Sequence, residues 1–269
     1  MAELLLTGVA LVALAVILAR SAYQQTRLAR QTAATPLTPV AELRALHEKV
    51  AAQIGSDLFA QRVALAGLLE CDEPLTAPLS QMKSAAFRYR VTRRWEEEYE
   101  ERDDAGKLCR RVRSGSEIVA TNERRVRFRL RDGGGELLVD PEGARLDMEK
   151  VIDHFEPGES DGTPRFGALV LNLGQWGTRP RRITLGYHSH EEIVPLGREV
   201  YVLGMATDRD GVLCVVRSPE PDEPFLVSLH TRRQVVAQAR AAITRSLVGA
   251  AVCGPLGIAL LLFGALSRR

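Results

Sequence analysis

Two long stretches of this chain carry no charge, and they lie at its two ends. Residues 4–19 are interrupted only by Thr7 and Gly8, and residues 246–266 run twenty-one positions without a charged side chain. At about 1.5 Å of rise per residue, the second is long enough for a hydrocarbon core of roughly 30 Å. The first reaches that length once Ser21, Ala22 and Tyr23 extend it and Arg20 snorkels to the interface. The pattern predicts membrane-spanning helices over residues 4–23 and 246–266. A cleaved signal peptide would need a basic leader and a small-residue cleavage site, yet Glu3 is the charged residue before the apolar run. An uncleaved anchor is therefore expected. Gly254, Pro255 and Gly257 sit mid-span in the second segment, where proline kinks a membrane helix without breaking it. Ala250 and Gly254 form a small-xxx-small pair of the kind that lets helices touch, including those of two copies in a homo-oligomer.

Between these ends the period changes from helical to alternating. Residues 24–61 read as a juxtamembrane linker, or a continuation of the first helix, followed by an amphipathic helix. Thr38-Pro39 offers a capping hydroxyl and a first-turn proline; Val40, Leu43, His47, Val50 and Ile54 then share one face, and Gly55 ends the element. His47 on that face reads as a packed or half-exposed histidine, not a ligand. From residue 62 the chain alternates: Val63, Leu65 and Gly67; Phe87, Tyr89 and Val91; Val126, Phe128 and Leu130 between outward arginines. Asp132-Gly133-Gly134-Gly135 supplies a hairpin turn, and residues 137–139 the return strand. Further strands are expected over 168–171, 183–187, 200–203 and 212–216, with a surface loop over 156–165. The fold class is mainly β, an antiparallel sandwich or small open barrel over residues 62–230, with no βαβ alternation. A helical pattern over 231–245 leads into the second anchor.

Composition changes this picture little. Lys+Arg number 36 and Asp+Glu 34, a net charge of +2 that gives no footprint for nucleic acid. Lysine is confined to Lys49, Lys83, Lys107 and Lys150, and the Arg-, Ala- and Leu-rich usage points to a GC-rich bacterial origin. The cysteines Cys71, Cys109, Cys214 and Cys253 are too dispersed for a disulfide framework or zinc site and read as free thiols. Charge placement does carry information. Arg20, Arg27 and Arg30 follow the first span; Arg232, Arg233, Arg240 and Arg245 precede the second. The positive-inside rule then places the central domain in the cytoplasm, at a bacterial inner membrane, with both termini outside.

Candidate chemistry is sparse. The acidic run from Glu96 to Asp104 has no histidine nearby and reads as a solvated strand end, with the arginines of residues 125–131 as candidate partners across a sheet. His188-x-His190, at a strand end, points both imidazoles to one face and is the one candidate metal site, with Glu191 or Glu192 as an oxygen ligand. No phosphate-binding loop, nucleophile elbow or zinc-protease motif occurs. No cofactor is expected.

Several segments, taken in order, resemble the GIDE domain of the mitochondrial-anchored ubiquitin ligase family. They are Pro74-Leu75-Thr76-Ala77-Pro78-Leu79-Ser80; Phe87-Arg88-Tyr89-Arg90-Val91 with Trp95 beyond; and Leu138-Val139-Asp140-Pro141-Glu142-Gly143-Ala144. Glu191-Glu192-Ile193-Val194-Pro195-Leu196-Gly197 and Val200-Tyr201-Val202-Leu203-Gly204 follow, with Phe225 and Ser228 as a looser late match. The resemblance covers residues 62–230 and includes the flanking pair of membrane helices. It implies that Pro78, Ser80, Tyr89, Trp95, Pro141, Gly143, Glu191, Gly197, Tyr201 and Gly204 determine the fold and are not catalytic. The family's ligases carry a zinc-binding RING after the second membrane helix, and the sequence stops at Arg269, so ligase activity is not expected with it. The expected role is a sensing or docking module at the bilayer, with a protein or small ligand near the membrane as partner. The other readings are a membrane-perturbing effector whose helices oligomerise and a metal enzyme built on His188 and His190.

Overall fold

The computed structural model describes residues 2–54, 59–102, 106–158, 165–166, 169–170, 182–209 and 211–266. Helix α1 (Ala2–Ala34) is unbroken: the apolar anchor continues through Arg20 into the polar segment and stops just before Thr35-Pro36. A proline disfavours helical geometry in the residue before it, which fixes that end. Helix α2 (Val40–Ile54) follows. Its first amide, Val40 N–H, donates to Asp132 Oδ2 at 2.8 Å, so the acceptor is a carboxylate of the hairpin turn 92 residues on and not the Thr38 hydroxyl.

Strand β1 (Ala60–Glu70) is followed by β2 (Leu75–Thr76), β3 (Lys83–Arg102) and β4 (Leu108–Arg125). Then come β5 (Phe128–Asp132), β6 (Gly135–Val139), β7 (Arg145–Leu146) and β8 (Glu149–Pro157). The remaining strands are β9 (Arg165–Phe166), β10 (Leu169–Val170), β11 (Arg182–Pro195), β12 (Glu199–Arg209), β13 (Val212–Val216) and β14 (Leu226–Ser228). Helix α3 (Arg232–Leu266) closes the chain and runs through Pro255 as one helix. Residues 168 and 171 of one expected strand, Gly55, and most of the expected 156–165 loop lie outside the described residues.

The strands make a small barrel and a second sheet. In the barrel, β1, β5, β6, β13 and β12 pair in turn, and β12 pairs back to β1, closing the ring; β14 and β7 extend it. The β6–β13 and β7–β14 pairings are parallel, whereas the alternation had suggested antiparallel strands throughout. Inward-facing Val63, Leu65, Leu130, Leu137, Val139, Val202 and Val215 fill the ring, with Val40 and Leu43 of α2 packed against them. Each of these is essentially inaccessible to water, and full burial of such a side chain contributes about 1.5–3 kcal/mol. Gly204 is required by packing: a Cβ there would lie 2.8 Å from Val215 Cγ1 and 2.9 Å from the Phe225 ring.

The second sheet orders as β4–β3–β11–β8, with β2 joined to β3. Phe87, Tyr89, Val91, Tyr187 and Ile193 form its own core with Ala77 and Leu79. Its largest element is the β3–β4 hairpin, which absorbs the acidic run. Glu97 is held by Arg113 and Arg182 at 2.9 and 3.0 Å, and Glu101 pairs with Arg111 at 3.1 Å. These partners correct the expectation that the arginines of 125–131 face the acids. Those arginines meet Glu123, Asp140, Asp72, Glu70 and Glu136. Asp103 and Asp104 lie outside the described residues.

Candidate docking site at the membrane surface

The two terminal helices are both long and apolar enough to cross a membrane. They pack antiparallel along a seam of small residues. A Cβ at Gly257 would sit 2.9 Å from Gly8 O and Val12 Cγ2, and one at Gly254 would sit 3.8 Å from Ala15 Cβ. Gly249 meets Leu18, and Gly264 meets Leu5. Gly254, read as half of a small-xxx-small pair, thus faces α1 of its own chain. Leu6, Val9, Val16, Ile17, Val248, Leu256, Leu262 and Phe263 are left exposed as an apolar belt around the pair.

Past the apolar segments the helices continue as a stalk and dock on the barrel. Leu28 and Val235 pack with Ala64, Tyr201, Leu203 and Leu226 on the outer face of β1, β12 and β14. Because Val200 and Val202 point into the barrel while Tyr201 and Leu203 point at the stalk, β12 is buried on both faces. Arg232 donates to the carbonyls of Thr32 and Ala33 at 2.9 and 2.6 Å, covering the C-terminal carbonyls that α1 leaves unpaired. Burial against this joint pushes the Tyr201 phenol up from its usual range.

Two clefts flank the stalk where it leaves the apolar belt. The larger, about 370 Å³, lies between α1 and residues 221–224. Its helical wall carries Arg20, Tyr23, Gln24 and Arg27, spaced i, i+3, i+4 and i+7 on one face. Arg27 Nη1 meets Asp222 Oδ1 at 2.6 Å, and its guanidinium lies 5.6 Å from the Tyr23 ring centroid. Glu223 of the opposite wall is paired with Arg62 of β1. Arg20 has no ion-pair partner among the described residues. The smaller cleft, about 230 Å³, lies on the β7–β14 side and includes Arg145, Asp147 and Arg245. Arg20, Arg27 and Arg245 were legible in the sequence as orientation signals; Arg145 was not. The acidic partner of Arg27 was not, although Pro221-Asp222-Glu223-Pro224 has the composition of a stiff acidic loop.

His188 and His190 do share one face of β11, opposite β8. His188 Nε2 meets Asp153 Oδ1 at 2.8 Å; His190 Nδ1 is 3.8 Å from the same oxygen, and its Nε2 lies 3.3 Å from Glu192 Oε1. Lys150 occupies Asp153 Oδ2 at 2.6 Å, and Arg88 pairs with Glu192. The Lys150 ammonium and then His188 hold the Asp153 carboxyl down at about 2. Among the described residues no cluster of three His, Cys, Asp or Glu side chains is placed to hold a metal ion. The other candidate ligand, Glu191, points into the core. Its fully buried carboxylate accepts from Leu79 N–H at 2.8 Å and Ser80 N–H at 2.7 Å, clamping the Pro78–Ser80 turn.

The remaining sequence candidates take structural positions. Tyr89 is buried in the second core, where desolvation and then the nearby Glu191 push its phenol up. The Trp95 ring lies 3.9 Å beneath the Arg182 guanidinium and against Gly115. Arg125 reaches from β4 to the carbonyls of Pro141 and Ala144, both at 3.0 Å, and Gly143 completes that turn at φ 74°. Gly197, at φ 68°, turns β11 into β12; both glycines hold a conformation that other residues rarely adopt. One pair escaped the sequence reading: His47 of α2 meets the buried carboxylate of Asp208, 161 residues away, at 2.8 Å. Cys71, Cys109, Cys214 and Cys253 are free thiols, and burial pushes those of Cys71 and Cys214 up.

The GIDE family pattern, described as E3 ubiquitin ligase, matches residues 96–263, more than half of the chain. This chain belongs to the GIDE family. Comparison with curated proteins and with solved structures finds no match. The GIDE match begins one residue after Trp95 and continues through the stalk into the second apolar helix, so α3 as far as Phe263 is part of the matched unit. Pro78, Ser80, Tyr89 and Trp95 precede the matched segment.

Proposed function

We propose that this GIDE protein is a docking or sensing module held against a bilayer, without catalysis of its own. The observation that carries the reading is the joint at Leu28 and Val235. Both apolar helices run without a break into a stalk that is packed on the barrel, so the domain is fixed at a set height beside the membrane. This reading does not include the ubiquitin-ligase activity that the family's description names. The four cysteines stand apart and supply no set of zinc ligands of the RING type, and the half-buried His188 and His190 are engaged by Asp153 and Glu192. Partners in this reading are the lipid bilayer and a protein or small ligand near it, with pairing to a second copy through the exposed helix faces. The arginines Arg20, Arg27, Arg30, Arg232, Arg233, Arg240 and Arg245 support a cytoplasmic domain at a bacterial inner membrane.

Topology reporters fused within residues 158–162 and after Arg269 test this placement. The expected result is a cytoplasmic internal reporter and an outward C-terminal one. An internal reporter on the outer side would overturn the cytoplasmic assignment and turn the partner search to the envelope. Release of the chain by alkaline carbonate would overturn the anchored reading altogether.

A further inference from the structure

The cleft between α1 and residues 221–224 combines position, charge and rigidity in a way that specifies an occupant. Resting on the anchored reading above, we propose that it holds the headgroup of an anionic phospholipid with a hydroxylated headgroup, of the phosphatidylglycerol type, from the adjoining leaflet. Position comes first. A bilayer of about 40–45 Å with a hydrocarbon core of about 30 Å leaves a polar layer of roughly 5–8 Å on each side. Arg20 is the first charge after the apolar run, and Tyr23 follows one turn later, so both lie in that layer. Tyr23 is 62% exposed, as suits a ring at the interface. Arg27 stands about 10 Å above Arg20 along the helix and, with Asp222, roofs the cleft.

Charge selects the ligand. Asp222 is matched by Arg27 and Glu223 by Arg62, which leaves the Arg20 guanidinium as the surplus cation facing the cleft. A guanidinium pairs with a phosphodiester through two parallel hydrogen bonds. The carboxylate available to a lipid ammonium is already occupied by Arg27, whereas Gln24 and the exposed edge of Asp222 suit headgroup hydroxyls. The wall is also preformed. Pro221 and Pro224 bracket the acids, Glu223 N–H bonds Glu220 O at 3.1 Å, and Glu220 N–H bonds the Ser218 hydroxyl at 3.1 Å. A preformed wall loses little ordering entropy when it binds. The volume, about 370 Å³, falls within the usual range for a small-ligand cleft.

The test uses the full chain in nanodiscs of equal phosphatidylglycerol and phosphatidylcholine, released into the gas phase for native mass spectrometry. The wild type should retain one phosphatidylglycerol after bulk lipid is stripped. Arg20→Gln should lower that retention about five-fold, the factor expected for one interfacial arginine. Arg20→Lys should restore part of it, and Arg240→Gln, higher on the stalk, should change nothing. Equal retention of both lipids by the wild type, or no loss in Arg20→Gln, overturns the proposal. Displacement of the lipid by glycerol phosphate at the same headgroup concentration also overturns it, by making the cleft a small-anion site. A chain that resists alkaline carbonate but shows no lipid preference sinks the headgroup site alone; extraction by carbonate sinks the anchored reading first.

Discussion

Glu191 shows what one side chain can decide. A buried carboxylate is tolerated only when its oxygens are satisfied, and here two backbone N–H groups of the Pro78–Ser80 turn do that. The bond joins two sequence segments 112 residues apart, the Glu-x-Ile segment of β11 and the Ala-Pro-x-Ser turn ahead of β3, so their joint presence in the sequence has a physical cause. Next to the turn, Gln81 is held at φ 61° while its side chain donates to Pro78 O at 2.7 Å. Glu191→Ala orphans the buried Leu79 donor and leaves the part-buried Ser80 donor to water, and should destabilise the domain by about 1–3 kcal/mol. Glu191→Gln keeps one acceptor oxygen and should cost about half as much. Denaturant unfolding of the membrane-embedded chain, with hydrogen exchange at the Leu79 and Ser80 amides, measures both. Unfolding of Glu191→Ala at the wild-type midpoint would show that the clamp is unimportant.

At the scale of elements, the antiparallel α1–α3 pair is decided by glycine placement. Gly254 leaves room for Ala15 at a Cβ separation of 3.8 Å, inside the ~3.5–4.5 Å that a disulfide spans. On a Cys253→Ala background, Ala15→Cys with Gly254→Cys should therefore oxidise to a monomer of altered gel mobility. A covalent dimer as the main product would instead place this seam between two copies. The pairing partner was not legible in the sequence, although the two spans were: an apolar run announces a membrane helix but not which helix it meets. The same split recurs elsewhere. Val63, Leu65, Phe128, Leu130, Val200 and Val202 were readable as strand residues because burial of one face imposes alternation. The β3–β4 hairpin was hidden because, past residue 95, its strands are held by charge pairs such as Glu97 with Arg113 and not by an apolar face. Thr38 looked like the cap of α2, but the carboxylate that bonds its first amide comes from Asp132. Asp208 and Asp222, each set against a cation or imidazole far along the chain, carry no local signal of their pairing. For the candidate site, sequence supplied one wall, the arginine-bearing helix, and tertiary folding supplied the other.

Across the whole molecule the question is whether the domain hangs from its anchors or is welded to them. Leu28, Val235, Tyr201, Leu203 and Leu226 are all less than a tenth exposed, and Arg232 ties the start of α3 to the end of α1. A rigid joint of this kind would pass a rotation of the barrel on to the terminal helices, where a loop would absorb it. If the joint is a weld, Leu28→Ala with Val235→Ala should open it without unfolding the barrel, because the interior residues Val202 and Val215 pack in a separate cluster. Each truncation removes buried methyl groups, and large-to-small changes of this kind cost about 2–5 kcal/mol for leucine. Hydrogen exchange on the membrane-embedded chain separates the outcomes. Faster exchange confined to residues 24–34, 226–228 and 232–240, with β13 still protected, is the expected result. Uniform loss of protection would mean that stalk and barrel unfold as one unit, and unchanged exchange would mean that the cluster holds nothing in place. The first outcome shows that Leu28 and Val235 hold the stalk on the barrel while the barrel stands on its own interior.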